Sequence, residues 1–148
     1  MIRLAEIDSV IGVKHAIRHL ELYAEQWEAL QGKISVLAAR DAPGLLAKMM
    51  IGADGICIGI SNIATGHWAA FTNHCLKHNF SDARDVFMSH LMPLISHVWS
   101  ERVPRRISYS ASTKEALVQL GVFSSSHVRA PEVNVDQADI DRIYAGLV

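Results

Sequence analysis

The stretch SVIGVKHA, residues Ser9–Ala16, places an apolar run directly in front of a lysine. Two similar runs follow along the chain, KISVLA at Lys33–Ala38 and GICIGI at Gly55–Ile60. All three are rich in β-branched residues and do not alternate with polar ones, which is typical of strands covered on both faces in a parallel sheet. The sequence therefore predicts three buried parallel strands, at Ser9–Val13, Lys33–Ala38 and Gly55–Ile60.

Helical patterns separate the three runs. Asp41-Ala42-Pro43 is a suitable start for a short helix between the second and third runs, and Gly52 ends it. Between the first and second runs, Gly32 supplies a stop after apolar residues that recur at three- and four-residue steps: Leu20, Tyr23, Ala24, Trp27 and Leu30. The order strand-helix-strand-helix-strand predicts a βαβ series with right-handed crossovers.

The remainder of the chain has the pattern of helices. Ser81 is a suitable cap for one of them, and Pro93 should kink it. Ser112–Glu115 has the spacing of a capping box, with Gly121 as the stop, and Asp136 can cap a last helix. The fold class is thus α/β in the first part of the chain and α in the second.

Composition excludes several classes of function. The chain has 148 residues, a formal net charge of -1 and scattered basic residues, so it carries no electrostatic footprint for nucleic acid. No apolar run reaches the roughly 18 to 20 residues that cross a bilayer. Cys57 and Cys75 lack metal-type spacing, which favours a reducing compartment, and we expect a cytoplasmic location.

Lys14 stands where α/β proteins place catalytic groups, at the carboxyl end of a buried parallel strand. A lysine attacks a ketone only as the free amine, and apolar walls favour that neutral form. The resulting imine, once protonated, withdraws electrons from the adjacent carbon. The alternative interpretation is a strand-end lysine whose ammonium reaches into solvent.

Five motifs then occur in the order and spacing of a known family. SVIGVKHA at Ser9–Ala16 holds a G-[IV]-K run, and GADGICIGISN spans Gly52–Asn62. LMPL at Leu91–Leu94, KEALVQLG at Lys114–Gly121 and VRAP at Val128–Pro131 complete the set. Together they resemble the C-terminal part of the dihydrodipicolinate synthase and N-acetylneuraminate lyase family, the pyruvate-dependent class I aldolases.

The resemblance implies a fold and a chemistry. It implies a partial TIM barrel over residues 1–102, made of barrel strands six to eight and their helices, and an α-helical C-terminal region over residues 103–148. It also implies that Lys14 forms an imine with pyruvate or another α-keto acid. We predict neither a cofactor nor a metal site, although the spacing of His74 and His78 on one helix can suit a metal.

Further substrate contacts are expected at the ends of the second and third strands. The candidates are Arg40, Asp41, Cys57 and Ile58. Arg40 and Asp41 fit an anionic substrate, and they fit a local salt bridge or helix cap equally well. The family commonly has a Ser-Gly-Asp type turn where this chain has Leu37–Asp41, so this side of the pocket departs from the pattern.

Two catalytic features of the family would lie before Met1. They are a Thr-Thr turn that binds the keto-acid carboxylate and a tyrosine that shuttles a proton. The tyrosines of this chain, Tyr23, Tyr109 and Tyr144, fall in helical or linker segments and do not match that role. General acid–base catalysis contributes roughly 10²- to 10⁴-fold, so imine formation by Lys14 alone should be slow.

Three interpretations remain open at this point. The chain is an imine-forming lyase or aldolase whose missing strands come from a second copy or another polypeptide. Alternatively, it is an inactive relative that serves as a scaffold or regulatory subunit, or a fragment of a longer enzyme. Three strands cannot close an eight-stranded barrel, so we expect a homo-oligomer or a hetero-complex unless a C-terminal helix covers the open face. His15 should point away from Lys14, to the opposite face of its strand.

Overall fold

Three short parallel strands form the sheet of this computed structural model, which describes residues 1–40, 44–98 and 108–147. They are β1 (Gly12–His15), β2 (Ser35–Ala38) and β3 (Gly55–Ile56), and their order in the sheet is β1-β2-β3. The three predicted strands and their parallel arrangement are confirmed. Their bounds differ from the prediction, because β1 runs through Lys14 to His15 and β3 ends at Ile56.

Seven α-helices lie in the described part of the chain. Short 3₁₀ turns at Ile2–Glu6 and Ile60–Asn62 and a π-helical turn at Phe87–Leu91 accompany them. None of these helices is long and apolar enough to cross a membrane. The helices are α1 (Leu20–Leu30), α2 (Gly44–Ile51), α3 (Thr65–Leu76), α4 (Phe80–Val86), α5 (Met92–Val98), α6 (Tyr109–Gln119) and α7 (Gln137–Ala145).

Helix α1 begins and ends where the apolar spacing predicts. Tyr23 and Leu30 lie on its buried side and are both 0% exposed, and they pack with Val36 of β2 into the core under the sheet. The chain then turns at Gly32, whose φ of 74° lies in the left-handed region that glycine adopts without strain. Periodicity is a strong signal here because a single helix covers one face of the sheet.

Gly52 ends α2 for a steric reason as well as a conformational one. Its φ is 128°, and a Cβ at this position would lie 2.3 Å from the ring of Trp27. The carbonyl oxygen of Gly52 accepts a hydrogen bond from Nε1 of Trp27 at 2.8 Å. Glycine is therefore required here, and the predicted stop is confirmed. The predicted start of this helix, Asp41–Pro43, lies outside the described residues.

The later helices correct three local predictions. The helix predicted to start at Ser81 begins at Phe80, after Asn79. Pro93 lies in the first turn of α5, where a missing backbone donor is tolerated, so it does not kink a helix interior. The predicted capping box at Ser112–Glu115 is wrong, because Ser108 caps α6 by accepting a hydrogen bond from the backbone N–H of Ala111.

The missed cap has a physical explanation. Ser112 is 0% exposed inside α6, a full turn after the helix begins, so its hydroxyl competes with nothing at the terminus. The serine-to-glutamate spacing therefore arose by chance within a helix. At α7 the same reasoning succeeds, because the side chain of Asp136 accepts a hydrogen bond from the N–H of Asp139 at 3.1 Å.

The chain divides into two compact units. The first contains Met1–Ile58 and Gly66–Phe87, and the second contains Gly59–Thr65 and Met88–Val148. The first unit holds the sheet with its core under α1. In the second unit α6 and α7 pack together around residues such as Ala116. The predicted domain boundary between residues 102 and 103 lies outside the described residues and stays a prediction.

Candidate active site

Lys14 lies within β1 and projects from one face of the sheet. It is in register with Leu37 of β2, and Leu37 is in register with Gly55 of β3. Residues in register on parallel strands share a face, and a Cβ at Gly55 would lie 3.3 Å from Cδ2 of Leu37. We call this side, represented by Lys14, Leu37 and Gly55, the open face. Lys14 is exposed there, so the apolar walls expected around its amine are not supplied by the described residues.

The opposite side of the same strands is buried, and we call it the covered face. His15, Val36 and Ala38 belong to it and are exposed by 1%, 0% and 0%. The prediction that His15 points away from Lys14 is confirmed, because β1 continues through both residues and their side chains alternate. Two consecutive residues thus lie in opposite environments.

His15 is held on the covered face by residues of α1. Its Nε2 lies 2.8 Å from Oε1 of Gln26, and its ring meets the ring of Tyr23 edge-on at a centroid distance of 4.7 Å. Burial lowers the pKa of His15 below its usual 6.5, and the nearby charge of Lys48 acts in the same direction, while the bond to Gln26 opposes them. The imidazole is therefore neutral at neutral pH.

A second lysine, Lys48 of α2, is buried close by. It is 3% exposed, and its Nζ donates a hydrogen bond to the carbonyl oxygen of Ala39 at 3.0 Å. The same ammonium lies 5.1 Å from the ring centroid of Tyr23, a cation–π distance. Burial lowers the pKa of Lys48, and the charge of Arg40 lowers it further. Sequence reasoning missed this residue, although a lone lysine inside the apolar helix GLLAKMMI was a usable signal.

Tyr23 completes the buried group under the sheet. Burial raises the pKa of its hydroxyl to about 12, and the charge of Asp54 contributes to the increase. The carboxylate of Asp54 itself accepts a hydrogen bond from the backbone N–H of Val36 at 2.7 Å. Tyr23 therefore lies on the covered face, away from the side where Lys14 projects, and it cannot serve Lys14 directly as a proton shuttle.

The other predicted site residues lie at or beyond the strand ends. Arg40 follows β2 with a φ of 79°, a left-handed conformation that costs a non-glycine residue some strain. The backbone N–H of Cys57 donates to Ala38 at 2.9 Å, which extends the pairing of β3 by one residue. Ile58 is buried, at 8% exposure, and Asp41 lies outside the described residues.

The strand order brings part of this set together. Lys14, Arg40 and Cys57 lie at the carboxyl ends of adjacent parallel strands, the edge at which α/β proteins gather their active sites. Cys57 carries a free, partly exposed thiol. Within residues 1–40, 44–98 and 108–147, no group of three or more His, Cys, Asp or Glu side chains is arranged to hold a metal.

Comparison with known proteins identifies this arrangement. The 4-hydroxy-tetrahydrodipicolinate synthase of Escherichia coli is 24% identical over 145 residues, which are 98% of this chain and 47% of that protein. The structure of the Acinetobacter baumannii dihydrodipicolinate synthase in complex with pyruvate matches with a TM-score of 0.80 and 21% identity, over 99% of this chain and 47% of that one.

A lyase gives a similar result. The N-acetylneuraminate lyase of Fusobacterium nucleatum matches with a TM-score of 0.77 and 22% identity, over 97% of this chain and 46% of that one. The fold is therefore α/β and is shared with about half of each of these proteins. The chain belongs to the dihydrodipicolinate synthetase family, whose model matches residues 1–146. It spans about half the length of the curated relatives it matches.

Proposed function

We propose that this chain is the lysine-bearing half of a Schiff-base aldolase or lyase that acts on pyruvate or a related α-keto acid. The observation that carries the proposal is the place of Lys14. In a member of this family, it projects from the open face of the sheet beside the strand-end residues Arg40 and Cys57. The pyruvate bound to the Acinetobacter baumannii relative supports the choice of substrate class.

The chemistry assigned to Lys14 is imine formation. The free amine of Lys14 adds to the ketone carbon of the keto acid, and the carbinolamine then loses water to give an imine. Protonation of the imine nitrogen makes it an electron sink, so a proton or a carbon substituent on the neighbouring carbon can leave without its electron pair. Attack on an aldehyde or release of one follows from the same intermediate.

The open face requires a partner to become a closed pocket. An eight-stranded barrel has no free edges, whereas β1 and β3 each lack one neighbour among the described strands. Large apolar side chains are exposed in the segment that precedes β1, including Ile2 at 49%, Leu4 at 55% and Ile11 at 82%. We propose that the missing barrel half, supplied by a second copy of the chain or by another polypeptide, covers these residues and encloses Lys14.

Arg40 is proposed as the anion contact of this half-site. Its guanidinium is the nearest described cation beyond β2, and keto acids carry a carboxylate that a guanidinium binds well. Cys57 is proposed to border the same pocket through its partly exposed side chain. Substrate contacts by Asp41 and Ile58 stay predictions, and the free thiols of Cys57 and Cys75 support the cytoplasmic location that composition favours.

A second candidate function is that of an inactive scaffold or regulatory subunit. The exposure of Lys14 favours it, because an amine in water gains nothing from apolar walls. The acid–base tyrosine of the family has no counterpart on the open face among the described tyrosines, since Tyr23 lies on the covered face and Tyr109 and Tyr144 lie in the second unit.

Trapping with borohydride distinguishes the two functions. The purified chain is incubated with pyruvate and reduced, and one reduced pyruvyl group is expected on the peptide that contains Lys14. Turnover by the chain alone should be lower by roughly 10²- to 10⁴-fold than with a polypeptide that carries the family's first strands, the range that acid–base catalysis contributes. Absence of any adduct on Lys14, even with that second polypeptide present, would favour the scaffold.

Assembly is tested independently of chemistry. Sedimentation and light scattering at micromolar concentration should show a species larger than a 148-residue monomer, or a monomer that binds a hydrophobic dye through its open face. A compact monomer that unfolds cooperatively and binds no dye contradicts the open half-barrel and requires another element to cover the face.

A further inference from the structure

The residue next to the imine lysine has no role in the proposed chemistry, yet it is among the most restrained in the first unit. His15 is 1% exposed and belongs to the covered face, while Lys14 projects from the open one. Side chains of consecutive strand residues point in opposite directions from one backbone. Whatever fixes the orientation of the His15 ring therefore also fixes the direction in which the Lys14 side chain leaves the strand.

Three contacts fix His15. Its Nε2 is bonded to Oε1 of Gln26 at 2.8 Å, and its ring is packed edge-on against Tyr23. Its carbonyl oxygen accepts the backbone N–H of Ala39 at 3.1 Å, and the carbonyl of Ala39 in turn accepts from the buried ammonium of Lys48. Side chain and backbone of His15 are thus both tied to neighbouring elements.

The bond to Gln26 also sets the tautomer. An amide oxygen only accepts hydrogen bonds, so Nε2 of His15 carries the hydrogen and Nδ1 of the neutral ring does not. This Nδ1 is buried and has no hydrogen-bond partner within the described residues. The ring therefore has one directional restraint from a side chain, and that restraint comes from Gln26.

We propose that His15 is a positioning residue for Lys14, and that its bond to Gln26 holds the end of β1 so that the Lys14 amine points across the open face toward the strand-end pocket. The inference rests on the proposed function of Lys14 and adds the means by which the chain orients it. His15 acts through the backbone and touches no substrate. Loss of the restraint lets the strand end rotate, and misorientation of a reacting group lowers its rate steeply.

The test compares two lysines within one molecule. The chain is treated with pyruvate and cyanoborohydride, and the modification of Lys14 is divided by that of Lys33, an exposed lysine whose Nζ donates to Ala29 at 2.9 Å. The ratio cancels differences in reagent and protein concentration. Replacing Gln26 with Leu removes the acceptor, and the ratio should fall about five- to tenfold, the factor that corresponds to one hydrogen bond.

Matched variants separate positioning from folding. Gln31→Leu makes the same chemical change on an exposed residue at the end of α1, and it should leave the ratio unchanged. Gln26→Glu keeps an acceptor for Nε2 and should hold the ratio within about twofold of the original. His15→Phe keeps a ring against Tyr23 but loses the bond, and its effect should not add to that of Gln26→Leu in the double variant.

The pH profile of the ratio gives a further readout. The charged and titratable groups around His15 are Tyr23 of α1, Lys48 of α2, Arg40 after β2 and Asp54 before β3. Protonation of His15 places a second cation beside Lys48, so the Lys14 to Lys33 ratio should decline in acid. The carboxylate of Gln26→Glu pairs with the imidazolium and should move that decline to lower pH.

The outcomes are distinct. No preference for Lys14 in the unmodified chain overturns the proposed function and the positioning role with it. A clear preference that survives unchanged in folded Gln26→Leu or His15→Phe overturns the positioning role alone. If His15→Phe does not fold, Gln26→Leu decides, because it removes the same bond from a partly exposed helix residue. A lower melting temperature with an unchanged ratio shows a purely structural bond.

Discussion

The two faces of one small sheet differ in whether this chain completes them. On the covered face, His15, Val36 and Ala38 are fully packed against residues of α1 and the neighbouring buried lysine. On the open face, Lys14 is exposed and Leu37 only partly covered. The same backbone carries both sets. The difference shows that the half with the structural contacts is self-sufficient, while the half with the chemistry depends on something added to it.

The covered face also fixes the register on which the open face depends. A one-residue slip of β1 would turn Lys14 inward and His15 outward. The packing of His15 against Tyr23 and its bond to Gln26 oppose that slip. A buried histidine is costly unless it is bonded, and here the cost secures the direction of its neighbour.

The largest expected effect lies on the open face. Lys14→Ala should abolish the pyruvyl adduct on its peptide, because no other amine replaces it at that position. The fold should change little, since an exposed side chain contributes little packing. Mass spectrometry of the reduced complex measures the adduct, and circular dichroism measures the fold. Lys33→Ala is the matched control and should keep the adduct.

A pair of neighbouring residues on β2 gives the next effect. Val36→Ala, on the covered face, should lower the free energy of unfolding by about 2 kcal/mol through lost burial and a cavity. Leu37→Ala, on the open face, should lower it by less than about 1 kcal/mol although more atoms are removed. Urea denaturation measures both. Equal losses would show that the open face is already covered in the isolated chain.

How far the sequence predicts this molecule follows the same division. The strands, α1 and the glycine stops are predictable because a run of apolar residues or a positive φ has few alternative causes. The place of Lys14 in the family pattern is likewise readable from Ser9–Ala16. Its exposure was not predictable, because apolar walls were expected from a barrel of which the described residues form three strands.

The contacts under the sheet were not predictable for a different reason. Lys48 and Tyr23 are 25 residues apart along the chain and meet only because α1 and α2 pack on the same side. Pairing of this kind depends on helix rotation, which periodicity fixes only to within a side chain. The N-cap at Ser108 failed for a local reason, since a second serine, Ser112, had the better-known spacing.

Acid should affect the covered face before the open one. His15 has a pKa below its usual 6.5 in the folded chain, so near pH 6 the unfolded chain binds more protons. Stability is therefore full above pH 6.5 and declines as the pH falls from 6.5 toward the folded pKa. Unfolding by urea at a series of pH values measures it, and His15→Phe should lose this part of the slope. An identical slope in that variant would assign the acid loss to other groups.

The smallest effect concerns the hydroxyl of Tyr23. It is buried on the covered face and has no hydrogen-bond partner within the described residues, while its ring packs against His15 and Lys48. A buried polar group without a partner costs stability. Tyr23→Phe removes that group and keeps the ring, so the free energy of unfolding at neutral pH should stay the same or rise by up to about 1 kcal/mol.

Alkaline pH gives this variant a second signature. Burial and the charge of Asp54 raise the pKa of Tyr23 from 10.0 to about 12 in the folded chain, so between these values the unfolded chain loses the proton first. Stability supplied by Tyr23 is thus present below pH 10 and declines as the pH rises toward 12, and Tyr23→Phe should lack that decline. A large loss of stability in Tyr23→Phe at neutral pH would instead reveal a bonded hydroxyl. The covered face would then contain a polar network that includes Tyr23, and its packing would depend on hydrogen bonds as much as on apolar contact.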